Sequence, residues 1–145
     1  MRSWRPVAGA LAAVVLVSGC GGGGERFDPQ AGDCLRIGDA DPTGPLTELT
    51  QVDCDEEHEL EVFHTFELEP DATGGEARVA AVAEACLGEA FTDYVGIPAD
   101  ESPLRLLPLP PTSEQLAAGD RTVRCTVRPP DGGTTTGSVR ATADA

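Results

Sequence analysis

Four cysteines spread along the chain restrict its fold more than any other feature. Cys34, Cys54, Cys86 and Cys125 stand 20, 32 and 39 residues apart. Structural zinc sites usually bring two cysteines within a few residues of each other, as in C-x2-C. An even number of widely spaced cysteines is instead typical of two disulfides in an exported protein. The spacing alone leaves three pairings open.

The N-terminus independently indicates export. "MRSWRP" carries Arg2 and Arg5 without an acid, and an apolar run follows over residues 7–17. The run is shorter than the about 20 residues that span a bilayer, and it fits a secretory signal peptide. "VSGC", ending at Cys20, resembles the lipobox of bacterial lipoproteins. That resemblance implies cleavage after residue 19 and a diacylglyceryl anchor on Cys20, at the outer face of the cell membrane. The alternative is an ordinary signal peptide with an incidental cysteine.

The remaining chain divides into a linker, one domain and a tail. Residues 20–30 contain four consecutive glycines, which behave as a flexible coil. Fully extended, this linker reaches about 33 Å, so the domain is expected close to the membrane. Residues 31–140 are expected to form the single domain, and residues 141–145 a flexible tail.

The charge of the mature chain excludes some partners. From Cys20 onward there are eight arginines, no lysine and 25 carboxylates, which gives a net charge of −17. Nucleic acid is excluded as a partner because its affinity for proteins comes from Lys and Arg. Anionic headgroups would repel this surface, so membrane attachment is expected to come from acyl chains on Cys20.

Hydrophobic periodicity predicts a small sheet. Strands are expected at residues 33–39, 46–54, 58–69, 121–127 and 134–141, and the proline-rich segment 101–111 is expected to be an extended or edge segment. Residues 58–69 alternate most clearly. Their expected inward face holds His58, Leu60, Val62, His64, Phe66 and Leu68. Their expected solvated face, apart from Phe63, holds Glu59, Glu61, Thr65, Glu67 and Glu69.

One long helix is predicted over residues 73–96, with Thr73 and Glu76 as a capping box. Its expected buried stripe holds Val79, Ala83, Cys86, Leu87, Ala90 and Tyr94, with Val82 and Phe91 flanking it. A short helix is predicted at 111–120 with Thr112 and Gln115 as caps. Strands and helix are segregated along the chain. The predicted class is therefore α+β: a small, mostly antiparallel sheet of about five strands packed on one long helix and crosslinked by two disulfides.

These positions favour the pairs Cys34–Cys54 and Cys86–Cys125. The first two cysteines lie in consecutive strands, which are usually neighbours. Cys86 lies on the helix stripe and Cys125 on the apolar face of its strand, and the two surfaces must meet to form a core. Crossed pairings remain open, since the first strand could instead lie beside the last.

Catalytic and metal-binding patterns are weak. His58 and His64 are six residues apart in a strand, which puts their rings about 20 Å apart, too far for one ion. The calcium-like "DADPTG" from Asp39 has Thr50 where the bidentate Glu should stand. No G-x-S-x-G or phosphate-binding glycine loop joins a strand to a helix. We therefore expect no catalytic residue, metal or cofactor.

The order of short motifs resembles a known family. They are "GDCLRI" (32–37), "VDCDEEHELEVF" (52–63), "EACLGEAFTDYVG" (84–96) and "PTSEQLAAGDRTVRC" (111–125). Together they resemble the septum-formation domain of actinobacterial envelope proteins. The resemblance implies a role in septum formation and names no reaction. Leu116 stands where that family typically has a tryptophan.

Three hypotheses of function follow. The first is a non-enzymatic, lipid-anchored envelope module that contacts an envelope or division protein during septum formation. The alternative is a small-ligand or cell-wall-binding lipoprotein, with a site formed by His58, Glu61 and the "GDR" turn at Asp120 and Arg121. The third is an unrecognised hydrolase.

Overall fold

A computed structural model of the chain describes residues 27–38 and 49–141. The described elements are β1 Cys34–Ile37, β2 Leu49–Val52, β3 Leu60–Glu67, α1 Gly75–Leu87, α2 Glu89–Val95, β4 Arg105–Leu109, α3 Ser113–Ala117 and β5 Thr122–Arg128. The expected signal peptide, Cys20, the calcium-like loop and residues 142–145 lie outside the described ranges. Within those ranges, the helices are all too short or too polar to cross a bilayer.

The five strands form one antiparallel sheet in the order β2-β1-β3-β5-β4. This confirms the predicted α+β class. The proline-rich segment supplies the edge strand β4. Pro108 has no backbone N–H to donate, and an edge strand tolerates this because it pairs with a neighbour on one side only. The prediction of a strand at 134–141 was wrong. This segment forms a single β-bridge, between Thr135 and His58, because other backbone N–H groups of the segment donate to turns and to a carboxylate.

A β-bulge in β3 changes which side chains face the helix. Val62 pairs with Thr126 and His64 with Cys125, so Phe63 is an extra residue on β3. Phe63 and Phe66 consequently pack in the same cluster, although residues three apart in a regular strand point to opposite faces. The prediction that His64 and Phe66 share a face with Leu60 and Val62 was therefore wrong. The predicted burial of Leu68 and exposure of Glu67 and Glu69 were correct.

The predicted solvated position of Glu61 was also wrong. Its exposed fraction is 2%, because it lies on the sheet face that the helix covers. The opposite face buries Leu35, Leu60 and Val62, with partly buried leucines of β2 and β4 around them. Both faces of β3 are buried near its start, so the acids of this strand do not share one solvated surface.

Helices α1 and α2 form one bent helix that spans the 21 residues from 75 to 95. Gly88 lies at the bend, and a Cβ there would meet the Glu84 carbonyl oxygen at 2.7 Å, so the position requires glycine. The predicted capping box was wrong. The N-cap is Gly74, without a side-chain hydrogen bond, so Thr73 plays no capping role.

The buried stripe of this helix is rotated from the predicted one. Cys86, Phe91 and Tyr94 are buried, whereas Val79 is 67% exposed and Leu87 53% exposed. The disulfide on Cys86 and the two aromatic rings set the rotation, because together they bury more surface than the alanine-rich side. An apolar line on α1 is left facing solvent.

Two disulfides have the predicted pairing. Cys34–Cys54 joins β1 to the turn after β2, with Cα atoms 5.2 Å apart. Cys86–Cys125 joins α1 to β5, with Cα atoms 5.4 Å apart. Helix α3 has the predicted capping box of Thr112 and Gln115. These features were predictable because each depends on residues close in sequence or on two apolar surfaces that must meet.

Candidate functional site

His58 is held in a fully buried position between the turn after β2 and the C-terminal segment. Its backbone exchanges two hydrogen bonds with Thr135, at 3.0 and 2.9 Å. Its Nδ1 lies 2.8 Å from the carbonyl oxygen of Glu56. Since a carbonyl oxygen only accepts, the proton is assigned to Nδ1 and the lone pair to Nε2. Within the described part of the chain, Nε2 is buried and has no hydrogen-bond partner.

Glu61 is a buried carboxylate satisfied by three donors. Its Oε1 accepts from the Tyr94 hydroxyl at 2.7 Å and from the Ser138 hydroxyl at 2.5 Å. Its Oε2 accepts from the Val139 backbone N–H at 2.8 Å. Burial, with the hydrogen bond to Glu61, raises the pKa of the Tyr94 hydroxyl above its ordinary value. The Arg140 guanidinium lies 4.7 Å from the centre of the Tyr94 ring.

These two side chains meet at the first disulfide. A ring nitrogen of His58, a carboxylate oxygen of Glu61 and Sγ of Cys34 lie within 4.8 Å of one another. All three residues are buried. We call Cys34, His58 and Glu61 the buried cluster. Its members come from β1, the turn before β3 and β3 itself, and the pairing of Cys34 with Glu61 across the sheet brings them together.

The C-terminal segment 129–141 covers the buried cluster. The backbone of Thr135 exchanges two hydrogen bonds with the backbone of His58. The Gly137 N–H donates to the Cys54 carbonyl at 2.6 Å, and the Val139 N–H donates to the Glu61 carboxylate. Above the cluster lies a small cleft of about 190 Å³, with walls that include Leu104, Val127 and Pro130. The cluster is therefore closed to solvent, and the cleft lies over it.

The structure separates the four residues that the sequence suggested as one binding site. His58 and Glu61 are together, but Asp120 and Arg121 lie at the other end of the β3–β5 pair. Glu61 pairs with Val127, whereas Glu67 pairs with Thr122, next to Arg121. Six residues of strand separate the two ends by about 20 Å. A single site therefore does not include both groups.

Asp120 and Arg121 have structural contacts where they lie. Asp120 accepts a hydrogen bond from the Thr122 backbone at 3.0 Å, and Arg121 lies 4.0 Å from Glu67 in a weak ion pair. The Arg121 carbonyl accepts from the Leu68 backbone N–H at 3.0 Å. These contacts stabilise the connection between α3 and β5. Leu116 is half-buried on α3.

The second histidine is separate from the buried cluster. His64 is half-buried and stacks on Phe66, with ring centres 6.1 Å apart. Sequence reasoning missed the partners of Glu61, namely Tyr94, Ser138 and Val139. The only signal for Tyr94 was its place on the helix stripe, and the segment that carries the other two was expected to be a strand.

Comparison with known families gives a decisive match. The model of a family described as Septum formation matches residues 31–145, which is most of the chain. The chain belongs to the septum formation family. Family membership confirms the resemblance of the four motifs and indicates a role in cell division. Neither the curated proteins nor the solved structures contain a significant match to it.

Proposed function

We propose that this septum-formation protein is a lipid-anchored, extracytoplasmic envelope module that acts without catalysis, by contact with a protein partner. Two features support the location. The first twenty residues have the order of a lipoprotein signal, and disulfides persist mainly in oxidising compartments outside the cytoplasm. Two disulfides tie the fold together. The anchor on Cys20 would then hold the domain near the membrane.

The observation that carries the contact hypothesis is the exposed line on α1. Val79, Ala80, Ala83 and Leu87 are all exposed, and three of them are spaced by four residues on one helix face. We call these four residues the exposed stripe. Exposed apolar side chains aligned on one surface are a common feature of protein interaction sites.

Charge suggests the chemistry of the partner. Exposed Glu76 and Glu84 flank the stripe, and the mature chain has a net charge of −17. A second copy of the chain would bring like charges together, which costs free energy. The better fit is an amphipathic segment with an apolar line bordered by Lys or Arg. We propose such a segment, in a division protein of the envelope, as the partner.

Site-specific crosslinking tests this proposal. A photoreactive residue at Ala80 in the full chain should crosslink in dividing cells to a peptide with net positive charge, identified by mass spectrometry. Val79→Glu with Leu87→Glu should abolish the crosslink. A matched control adds the same charge at two exposed positions away from the stripe, Ala117→Glu with Thr136→Glu, and should retain it. Crosslinks that survive the stripe variant, or that reach only acidic segments, would contradict the proposal.

A further inference from the structure

We propose that opening the Cys34–Cys54 disulfide converts the buried cluster into a Zn²⁺ site. The ligands are the Cys34 thiolate, Nε2 of His58 and one carboxylate oxygen of Glu61. A ring nitrogen of His58, a carboxylate oxygen of Glu61 and Sγ of Cys34 already lie within 4.8 Å of one another. Ligands of a tetrahedral Zn²⁺ at 2.0–2.3 Å from the metal are separated by about 3.5 Å, so closure needs movements of about 1 Å.

The environment of His58 is that of a metal ligand. Metal-ligating histidines almost always donate their second ring N–H to a carbonyl or carboxylate, which fixes the tautomer. Nδ1 of His58 lies 2.8 Å from the Glu56 carbonyl, which directs the lone pair to Nε2. In the described part of the chain this Nε2 is buried and unpaired. A buried acceptor without a donor costs free energy, which a bound cation would recover.

Glu61 is oriented in the same way. Two hydroxyl donors hold its Oε1, whereas Oε2 accepts, among the residues that the structure describes, one hydrogen bond, from the Val139 N–H. A carboxylate oxygen accepts two bonds, so Oε2 retains a lone pair for a metal. The three donors come from α2 and the C-terminal segment, and they hold the carboxylate in place before any ion arrives.

The disulfide keeps the site latent, because a sulfur bonded to Cys54 is not a thiolate ligand. Cys54 is half-buried and Cys34 fully buried, so the thiolate of a dithiol reductant attacks Sγ of Cys54. The S–S bond breaks and Cys34 leaves as a thiolate. The second thiol of the reductant then releases Cys54, so the reductant loses two electrons and becomes a disulfide. Its two protons pass to Cys54 and Cys34, and Zn²⁺ binding returns the Cys34 proton to solvent.

The donor set selects the ion and leaves one position open. One thiolate, one imidazole and one carboxylate match Zn²⁺ better than Ca²⁺ or Mg²⁺, which prefer oxygen ligands. Three protein ligands leave the fourth tetrahedral position to water. The second disulfide is fully buried at both cysteines and is expected to survive mild reduction, so the fold retains one crosslink.

A matched pair of variants tests the site in the full chain, purified in detergent. Cys54→Ser frees the Cys34 thiol without a reductant, and Cys34→Ser frees the Cys54 thiol instead. Co²⁺ is the probe, because Co²⁺ bound to a thiolate gives a charge-transfer band in the near ultraviolet. The band disappears when Zn²⁺ displaces Co²⁺ from the site. We expect the band for Cys54→Ser and none for Cys34→Ser. Adding His58→Asn or Glu61→Gln to Cys54→Ser should weaken Co²⁺ binding by about tenfold or more.

The wild-type chain completes the test. Oxidised, it should show no thiolate band; reduced with dithiothreitol and then desalted without oxygen, it should show one. This measurement also decides the question if Cys54→Ser does not fold. Absence of the band after reduction, or equal bands in the two serine variants, would overturn the proposal.

Discussion

The Tyr94 hydroxyl donates a 2.7 Å hydrogen bond to Oε1 of Glu61 and thereby ties α2 to β3. A hydrogen bond to a charged group contributes about 1.5–3 kcal/mol to folding. Tyr94→Phe should lower the free energy of unfolding by about that amount, measured by urea denaturation. Glu67→Gln is the control: it changes an exposed acid of the same strand and should shift stability by no more than about 0.5 kcal/mol. Equal stability of the two variants would contradict the assigned role of the Tyr94–Glu61 bond.

Replacing Glu61 itself should cost more than removing one of its donors. Glu61→Leu removes the acceptor of three donors, and the buried Tyr94 hydroxyl alone then costs about 1–3 kcal/mol as an unsatisfied group. The triple variant Glu59→Gln, Glu67→Gln, Glu69→Gln should stay folded, because these side chains are exposed or half-buried and Gln can still accept a hydrogen bond. Circular dichroism during thermal unfolding compares the two. A Glu61 variant as stable as the triple variant would show that the carboxylate is dispensable.

Both disulfides should stabilise the domain, the longer one more. On the chain-entropy model, closing 39 residues contributes about 4 kcal/mol and closing 20 residues about 3 kcal/mol. Cys86→Ala with Cys125→Ala should therefore lower the free energy of unfolding more than Cys34→Ala with Cys54→Ala. Urea titrations of the two double variants measure the order, and the reverse order would contradict this ranking.

Loss of the Cys20 thiol should release the protein from the membrane. Residues 20–145 contain no apolar run like residues 7–17, and their net charge of −17 opposes binding to anionic lipid. Cys20→Ala should therefore move the chain to the soluble fraction after cell lysis, detected by immunoblot. Ser18→Ala keeps the cysteine and a small residue before it, and should remain attached. Persistent membrane association of Cys20→Ala after a high-salt wash would refute lipid anchoring.

Local patterns predicted much of this fold. The disulfide pairs, the edge position of the proline-rich segment and the capping box at Thr112 follow from short-range chemistry or from two surfaces that must meet. The bulge at Phe63 was not predictable. The alternation of apolar and polar residues continues through the sequence of β3, whereas the pairing register with β5 shifts between Val62 and His64. Glu61 was assigned to the solvated face because alternation does not show that long-range contacts bury both faces of β3 near its start.

The buried cluster was only partly predictable for the same reason. Its histidine and glutamate were identified as candidates, but their partners depend on long-range contacts. Tyr94 reaches Glu61 because the helix is rotated by Cys86 and bent at Gly88, and neither effect is visible in a stripe of small residues. The exposed position of Val79 has the same cause.

Localisation through the division cycle tests the proposed role in septum formation most directly. The full chain, fused at its C-terminus to a fluorescent protein that matures outside the cytoplasm, is followed by time-lapse microscopy. The matched control fuses residues 1–30 alone to the same reporter, which keeps the anchor and removes the domain. We predict that the full chain concentrates at the division site as the septum forms, while the control stays uniform around the membrane. A full chain as uniform as the control throughout division would contradict the account.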